Sequence, residues 1–230
     1  MGEDKKANPG SPAYYAQLDY QNWTRFQKTI RFLLRIIWRL VARVQIDGTP
    51  HVPLSDGLVL AVNHVYILDT PLYLAFYPRR MVIMVLDRWR KWPVIGWFVN
   101  AIGNAIYVSR EGVNKEALAC ALRALKAGGC VGITPEGTVS KSRTLMKGNS
   151  GVAFLANRTN VPVLPSVSWG QEKAFQHWIR FRRVPVTIRF GEVIHLPPGK
   201  ADSVQLEAYT AQIMNSLNAL LPVNYQSRNT

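Results

Sequence analysis

The sequence has few of the features that mark membrane-spanning, secreted or lipid-modified proteins. No uninterrupted apolar run reaches the ~18 residues of a membrane-spanning helix, and the nearest candidate, residues 92–108, is broken by proline, glycine and asparagine. The amino-terminal stretch MGEDKKANPGSPAYY is polar and lacks the apolar segment of a secretory signal. Lys6 stands where a myristoylation signal has Ser or Thr. We therefore expect a chain that does not cross a membrane.

Cysteine, metal-ligand spacing and a nucleophile elbow are also scarce or missing. Cys120 and Cys130 are the two cysteines, which favours buried thiols in a reducing compartment over a disulfide framework. The four histidines are scattered without the spacing of a metal site. No G-x-S-x-G motif is present, which weakens a serine-hydrolase interpretation. The sequence predicts neither a metal nor a cofactor.

Acidic residues are outnumbered two to one by basic residues. Lys and Arg total 28 against 14 for Asp and Glu, which gives a formal charge of +14. Such an excess suits polyanionic partners, namely nucleic acid, phospholipid headgroups or phosphorylated small molecules, and does not choose among them. With 230 residues, of which 48% are hydrophobic, the chain can bury the core of one domain.

Residues 23–46 contain no acid and carry cations at spacings of 3, 3, 4, 4 and 4, which predicts a basic stripe along one helix. Apolar side chains between the cations predict a wide apolar face, as in a helix that lies in a lipid interface. The alternative is a first helix that packs on the core and solvates its arginines. A second tryptophan-rich basic segment, residues 86–99, is a further candidate for lipid contact. The predicted membrane-contacting residues are Arg31, Arg35, Trp38, Arg39, Trp92 and Trp97.

After Gly48, short β-rich runs alternate with helical segments. Strands are predicted at residues 58–62, 81–86, 105–108, 130–134, 161–168 and 186–190, and helices at 70–76, 93–101, 114–127, 150–157 and 203–220. This alternation predicts a single α/β domain with a mainly parallel or mixed central sheet flanked by helices. We divide the chain into a polar tail (1–13), an amphipathic basic segment (14–46), the α/β domain (47–222) and a second tail (223–230).

Polar residues follow three of the predicted strands, at the ends where α/β folds place their sites. These are NHVYILD (residues 63–69), PEGTVS (residues 135–140) and Arg110. Five residues turn a helix by about 500°, so His64 and Asp69 cannot meet on one straight helix face. If they pair, His64 lies in the loop or at the helix entry, and its second ring nitrogen points outward as a base.

Four blocks in this order, NHxxxxD, a strand ending in Arg, PEGTxS and V-P-V-x-P, resemble those of the glycerolipid acyltransferases, over roughly residues 40–195. The resemblance implies that His64 is the general base and Asp69 its partner. It also implies that Arg110 contacts the acceptor phosphate. Glu136 and Gly137 would help to build the acceptor site. The predicted substrate-binding residues are Asn63, Arg110, Glu136, Gly137, Thr138, Ser140, Lys141 and Lys147.

One position departs from the family pattern, because Val139 stands where the third block usually has arginine. Lys141, Arg143 or Lys147 are alternative phosphate contacts from the same loop. The other possibility is a different acceptor, such as another lysophospholipid, a glycolipid or an amino-acid lipid, since valine does not replace a bidentate arginine.

The resemblance implies an acyltransferase at the cytoplasmic face of a membrane, peripheral or monotopic. It would move an acyl chain from acyl-CoA or acyl carrier protein to a lysophospholipid, most simply 1-acylglycerol-3-phosphate. Two rivals are a catalytically silent membrane-binding protein and a nucleic-acid-binding protein. No nucleic-acid motif is present, so no nucleic-acid partner is expected.

Overall fold

Seven strands form one mixed sheet within residues 7–109 and 114–227, which the computed structural model describes. Their order across the sheet is β1-β7-β6-β2-β5-β3-β4. Neighbouring strands from β6 to β4 run parallel, β7 is antiparallel to β6, and β1 is parallel to β7. The predicted α/β domain with a mixed sheet is confirmed. The strands are β1 (Ala42–Asp47), β2 (Leu58–Val62), β3 (Met81–Leu86), β4 (Ile106–Val108), β5 (Cys130–Ile133), β6 (Val163–Trp169) and β7 (Val184–Phe190).

Helices cover both faces of the sheet. One face packs against α1, α5, α6 and α8, and the other packs against α2, α3 and α4. Every residue of the central strand β2 is consequently buried, which explains why LVLAV is apolar throughout and does not alternate. None of the described helices is both long and apolar enough to span a bilayer. The helices are α1 (Pro12–Gln17), α2 (Arg25–Val41), α3 (Asp69–Phe76), α4 (Pro93–Gly103), α5 (Lys115–Lys126), α6 (Gly151–Thr159), α7 (Ala174–Trp178) and α8 (Ser203–Leu220).

The predicted boundaries at both ends of the α/β domain are wrong. The helix predicted to reach residue 46 ends at Val41, and residues 42–47 form β1. The backbone of this strand pairs in register with β7, so tertiary pairing overrides the helical pattern there. Tyr15 and Tyr20, from the predicted amphipathic segment, are buried in the core, and so is Tyr225 from the predicted second tail.

Two arginines of α2 face the protein. The Arg31 side chain is 5% exposed and donates to the carbonyls of Leu74 and Tyr77 at 2.6 and 2.7 Å. Arg35 donates to the carbonyl of Ala75 at 2.7 Å. These carbonyls lie at the C-terminal end of α3, where a cation is favoured. Desolvation, with a smaller effect of the charge on Arg35, lowers the pKa of Arg31 to about 10.

Two of the predicted membrane contacts on α2 are therefore wrong. The guanidinium group of Arg31 is hydrogen-bonded to carbonyls at the end of α3, and Trp38 is a buried core residue. The opposite side of α2 is the exposed side, and Arg39 is also exposed. We call this side the α2 apolar face; it consists of Phe26, Phe32, Leu33, Ile36, Ile37 and Leu40. The apolar face is exposed, as the lipid-interface prediction requires, but Arg31 and Arg35 face the protein instead of reaching outward.

We expect Arg31→Ala to lower the free energy of unfolding by about 2–4 kcal/mol, because the substitution leaves two buried carbonyls without a charged donor. Chemical denaturation in mild detergent measures this change. Arg39→Ala is the matched control, and as an exposed arginine on the same helix it should change stability by less than about 0.5 kcal/mol. Equal effects of the two substitutions would contradict the assigned role of Arg31.

Candidate active site

The site lies where β2 and β5 end side by side. Ala61 is paired with Ile133 in the parallel register, so the loops that begin at Asn63 and Thr134 leave the same edge of the sheet. The Ser140 backbone N–H donates to the carbonyl of His64 at 2.8 Å and fastens the two loops together. The NHVYILD and PEGTVS segments are thus brought together as the sequence pattern predicted.

His64 and Asp69 form the loop-to-helix pair that their spacing requires. His64 lies in the loop after β2, and Asp69 is the first residue of α3. The imidazole Nδ1 is 2.7 Å from Oδ2 of Asp69, and the carboxylate acceptor fixes the proton on Nδ1. Nε2 of the neutral ring is then free to accept a proton, and it makes no hydrogen bond to any described residue.

The Asp69 carboxylate is held by three further donors. Its Oδ2 accepts the backbone N–H groups of Val65 and Tyr66 at 2.9 and 3.0 Å. Its Oδ1 accepts from Nε2 of Gln171 at 2.7 Å, and the same nitrogen reaches Oγ of Ser168 at 2.9 Å. Gln171 was missed by the sequence analysis because it lies 102 positions beyond Asp69, outside every motif block.

Glu136 is buried beneath the His64 loop and does not line the cavity described below. Its two carboxyl oxygens accept the backbone N–H groups of His64 and Met146 at 2.8 and 2.9 Å. Burial raises the pKa of Glu136 to about 7, although both N–H donors act in the opposite direction. Only the ionised carboxyl accepts from both donors without conflict. The expected direct contact of Glu136 with substrate is replaced by a role in holding the histidine loop.

Two more of the residues predicted to bind substrate form hydrogen bonds within the protein. Asn63 exchanges hydrogen bonds with the backbone of Ser168, at 3.0 and 2.8 Å, and so joins the ends of β2 and β6. Ser140 is buried and donates through Oγ to the carbonyl of Thr144 at 2.7 Å. Ser140 does not line the cavity and serves the loop structure, whereas Asn63 reaches the cavity wall.

A cavity of about 1340 Å³ opens beside His64. It extends from the histidine between the sheet and helices α3 and α4, over apolar side chains that include Leu60, Met81 and Phe98. Such a volume exceeds the usual size of a small-molecule pocket and suits a long flexible apolar ligand. The polar mouth holds Gly137, Thr138, Val139 and Lys141, together with Arg88.

The remaining residues predicted to contact substrate or membrane differ in whether they line the cavity. Lys147 is exposed and lies outside the cavity lining, whereas Lys141 is exposed at the mouth. Arg110 lies outside the described residues. Trp92 and Trp97 are exposed, and Trp97 contacts Phe26 of the α2 apolar face with ring centroids 5.9 Å apart.

Known proteins share both the sequence pattern and the fold. The 1-acyl-sn-glycerol-3-phosphate acyltransferase of Borreliella burgdorferi is 20% identical over 183 residues, covering 79% of this chain and 70% of that protein. The crystal structure of the 1-acyl-sn-glycerophosphate (LPA) acyltransferase PlsC from Thermotoga maritima aligns with a TM-score of 0.65 at 25% identity. The alignment covers 84% of this chain and 78% of PlsC.

The acyltransferase family model matches residues 43–169, which is more than half of the chain. The matched segment runs from β1 to the end of β6 and contains His64, Asp69 and Glu136. The chain therefore belongs to the acyltransferase family.

Proposed function

We propose that the protein transfers an acyl chain from acyl-CoA or acyl carrier protein to the hydroxyl of a lysophospholipid, and that 1-acylglycerol-3-phosphate is the preferred acceptor. The observation that carries this proposal is the carboxylate-held His64, whose second nitrogen faces an apolar cavity of about 1340 Å³. The cavity accommodates an acyl chain, and the base lies at its polar mouth. Relatives named as acyltransferases for this acceptor support the choice.

The reaction requires one base and no covalent intermediate. Nε2 of His64 removes the proton from the acceptor hydroxyl, and the oxygen attacks the thioester carbonyl. The carbon–sulfur bond of the tetrahedral intermediate then breaks, and the thiolate leaves with the proton from His64. Asp69 remains ionised and stabilises the imidazolium during the transfer.

The loop at the cavity mouth offers donors for the oxyanion. The backbone N–H groups of Thr138 and Val139 donate to no described residue, and both residues line the cavity. Ser140, the next residue, is bonded to the carbonyl of His64, which keeps these N–H groups close to the base. Preorganised backbone donors of this kind stabilise the charge of a tetrahedral intermediate.

Lys141 and Arg88 are the described cations at the cavity mouth. We assign the acceptor phosphate to Lys141, which lies two residues beyond Val139, the position where the family pattern has arginine. Lysine binds phosphate as a point charge and lacks the bidentate fork of arginine. A different lysophospholipid or a glycolipid is the second candidate acceptor, and the same valine favours it.

We further propose that the α2 apolar face rests in the lipid interface from which the acceptor is drawn. Leu40 is 69% exposed on this face, and contiguous exposed apolar patches of this kind mark interaction sites. Exposed Trp97 extends the patch at the Phe26 end of the helix. This arrangement is that of a peripheral or monotopic protein.

We expect His64→Ala to lower thiol release from acyl-CoA by about 100- to 10,000-fold, because general-base catalysis contributes factors of that size. The assay follows free thiol in the presence of a panel of lysophospholipids and glycolipids. His195→Ala, which changes an exposed histidine outside the cavity, serves as the control and should retain the wild-type rate. Equal release by wild type and His64→Ala with every acceptor would show that His64 is not the base.

We expect Lys141→Ala to raise the KM for 1-acylglycerol-3-phosphate about tenfold while leaving the KM for acyl-CoA unchanged, since a charged contact to phosphate is lost. Lys147→Ala, six positions further along the loop region and outside the cavity, is the matched control. The assignment fails if both lysines affect the acceptor KM alike. A preference of the wild type for an acceptor without a phosphomonoester would support the second candidate.

A further inference from the structure

A second surface of exposed aromatic and basic residues lies between β6 and β7. We name it the α7 loop; it comprises residues 174–183, which are α7 and the turn that leads into β7. Phe175, Trp178, Ile179 and Phe181 are exposed, and no acidic residue occurs between Lys173 and Phe190. Neither the motif blocks nor the cavity includes this loop.

Phe181 combines two unfavourable features. Its side chain is 100% exposed, and its φ is +52°, in the left-handed region where glycine or asparagine normally ends a helix. A bulky residue in this conformation is strained. Because the Phe181 side chain is fully exposed, it contributes no hydrophobic stabilisation that would offset the strain. Strained positions of this kind cluster where a protein contacts a ligand. The aromatic side chain therefore points to an occupant outside the chain.

The α7 loop is fastened to the C-terminal end of α2. The indole N–H of Trp178 donates to the carbonyl of Val41 at 3.0 Å, and Arg183 donates to the carbonyl of Ala42 through Nη2 at 2.8 Å. Val41 follows Leu40, the last residue of the α2 apolar face. The α7 loop thus lies beside the end of the α2 apolar face.

We propose that the α7 loop is a second membrane anchor, in which Phe175 and Phe181 enter an anionic lipid interface and Arg180 and Arg182 contact its headgroups. Aromatic side chains flanked by arginines match the composition of such an interface. The proposal rests on the membrane association proposed above for the α2 apolar face. A single helix can roll about its axis on a bilayer, and a second anchor at its end fixes one orientation of the cavity mouth.

Sedimentation of the full chain with lipid vesicles tests the proposal. One set of vesicles is pure phosphatidylcholine, and the other is phosphatidylcholine mixed with phosphatidylglycerol. Phe175→Ser with Phe181→Ser should weaken partitioning about tenfold, the effect of losing partial burial of two aromatic side chains. Val204→Ser with Val223→Ser removes equally exposed apolar residues near the C-terminus and should change nothing. Arg180→Gln with Arg182→Gln should reduce only the preference for anionic vesicles.

Phe181→Gly separates a membrane role from a structural one. Glycine relieves the left-handed backbone, so the Tm should stay unchanged or rise while vesicle partitioning falls. A lower Tm with unchanged partitioning would overturn the proposal and make Phe181 a folding residue.

The remaining outcomes distinguish this proposal from the one on which it rests. If Leu33→Ser with Ile37→Ser weakens partitioning and the α7 loop variants do not, the α2 apolar face is sufficient and the second anchor is excluded. Failure of the wild type to bind either vesicle would overturn both. A change in oligomeric state on light scattering, with partitioning unaffected, would assign the α7 loop to a second copy of the chain.

A separate observation concerns Gln171, which is fully buried and does not line the cavity. We infer that Gln171 is a positioning residue that fixes the Asp69 carboxylate for catalysis. Its Nε2 bridges Oδ1 of Asp69 and Oγ of Ser168, so it ties the carboxylate to the end of β6. Oδ2 is then left to the histidine and the loop N–H groups.

Gln171→Leu should lower kcat about 10- to 100-fold through loss of a hydrogen bond to a charged group. The KM values of donor and acceptor should stay unchanged, because Gln171 contacts neither. Gln171→Met, which keeps the chain length without the amide, should behave alike and guards against misfolding of the leucine variant.

The decisive measurement is a double-mutant cycle with Asp69→Ala. If Gln171 acts through Asp69, Gln171→Leu has no further effect on kcat in the Asp69→Ala background. A merely structural role gives the same fold-loss in both backgrounds and overturns the inference. An inactive wild type would instead contradict the proposed function.

Discussion

The carboxylate of Asp69 is buried and accepts four hydrogen bonds, and the geometry of the site depends on it. A buried ionised carboxylate is costly unless donors surround it, and here the donors come from a ring, two backbone N–H groups and one amide. The N-terminus of α3 adds a favourable dipole. Because Val65 and Tyr66 bind the same oxygen as the His64 ring, the loop and the imidazole take up their positions together.

The buried polar residues around this carboxylate hold loops together, while the residues at the cavity mouth remain free for ligands. Glu136 holds the histidine loop from below, and Asn63 joins the ends of β2 and β6. Each of these side chains crosses between segments that are remote in sequence. The parallel register of β2 with its two neighbours makes the crossings short, so a precise site is assembled at the edge of a rigid sheet.

The sequence predicted most of the sheet and the contact between His64 and Asp69, because strand patterns and the five-residue spacing are local signals. It missed β1 because ARVQID continues a helical hydrophobic pattern, and only pairing with β7 makes it a strand. It assigned Arg31 and Arg35 to lipid headgroups because a cationic stripe without acids suggests a lipid surface, whereas their partners are the terminal carbonyls of α3. Backbone carbonyls carry no signature in a sequence. Gln171 was invisible for a similar reason, since its partner lies on a distant loop.

The two ends of α3 are bound by opposite charges. Asp69 stands at its first turn, and the guanidinium groups of Arg31 and Arg35 close its last turn. An eight-residue helix is about 12 Å long, so helix α2 and His64 are held at a fixed separation. If α2 rests on a lipid layer and His64 is the base, as we propose, this separation sets one height above the lipid to which the acceptor hydroxyl would have to rise.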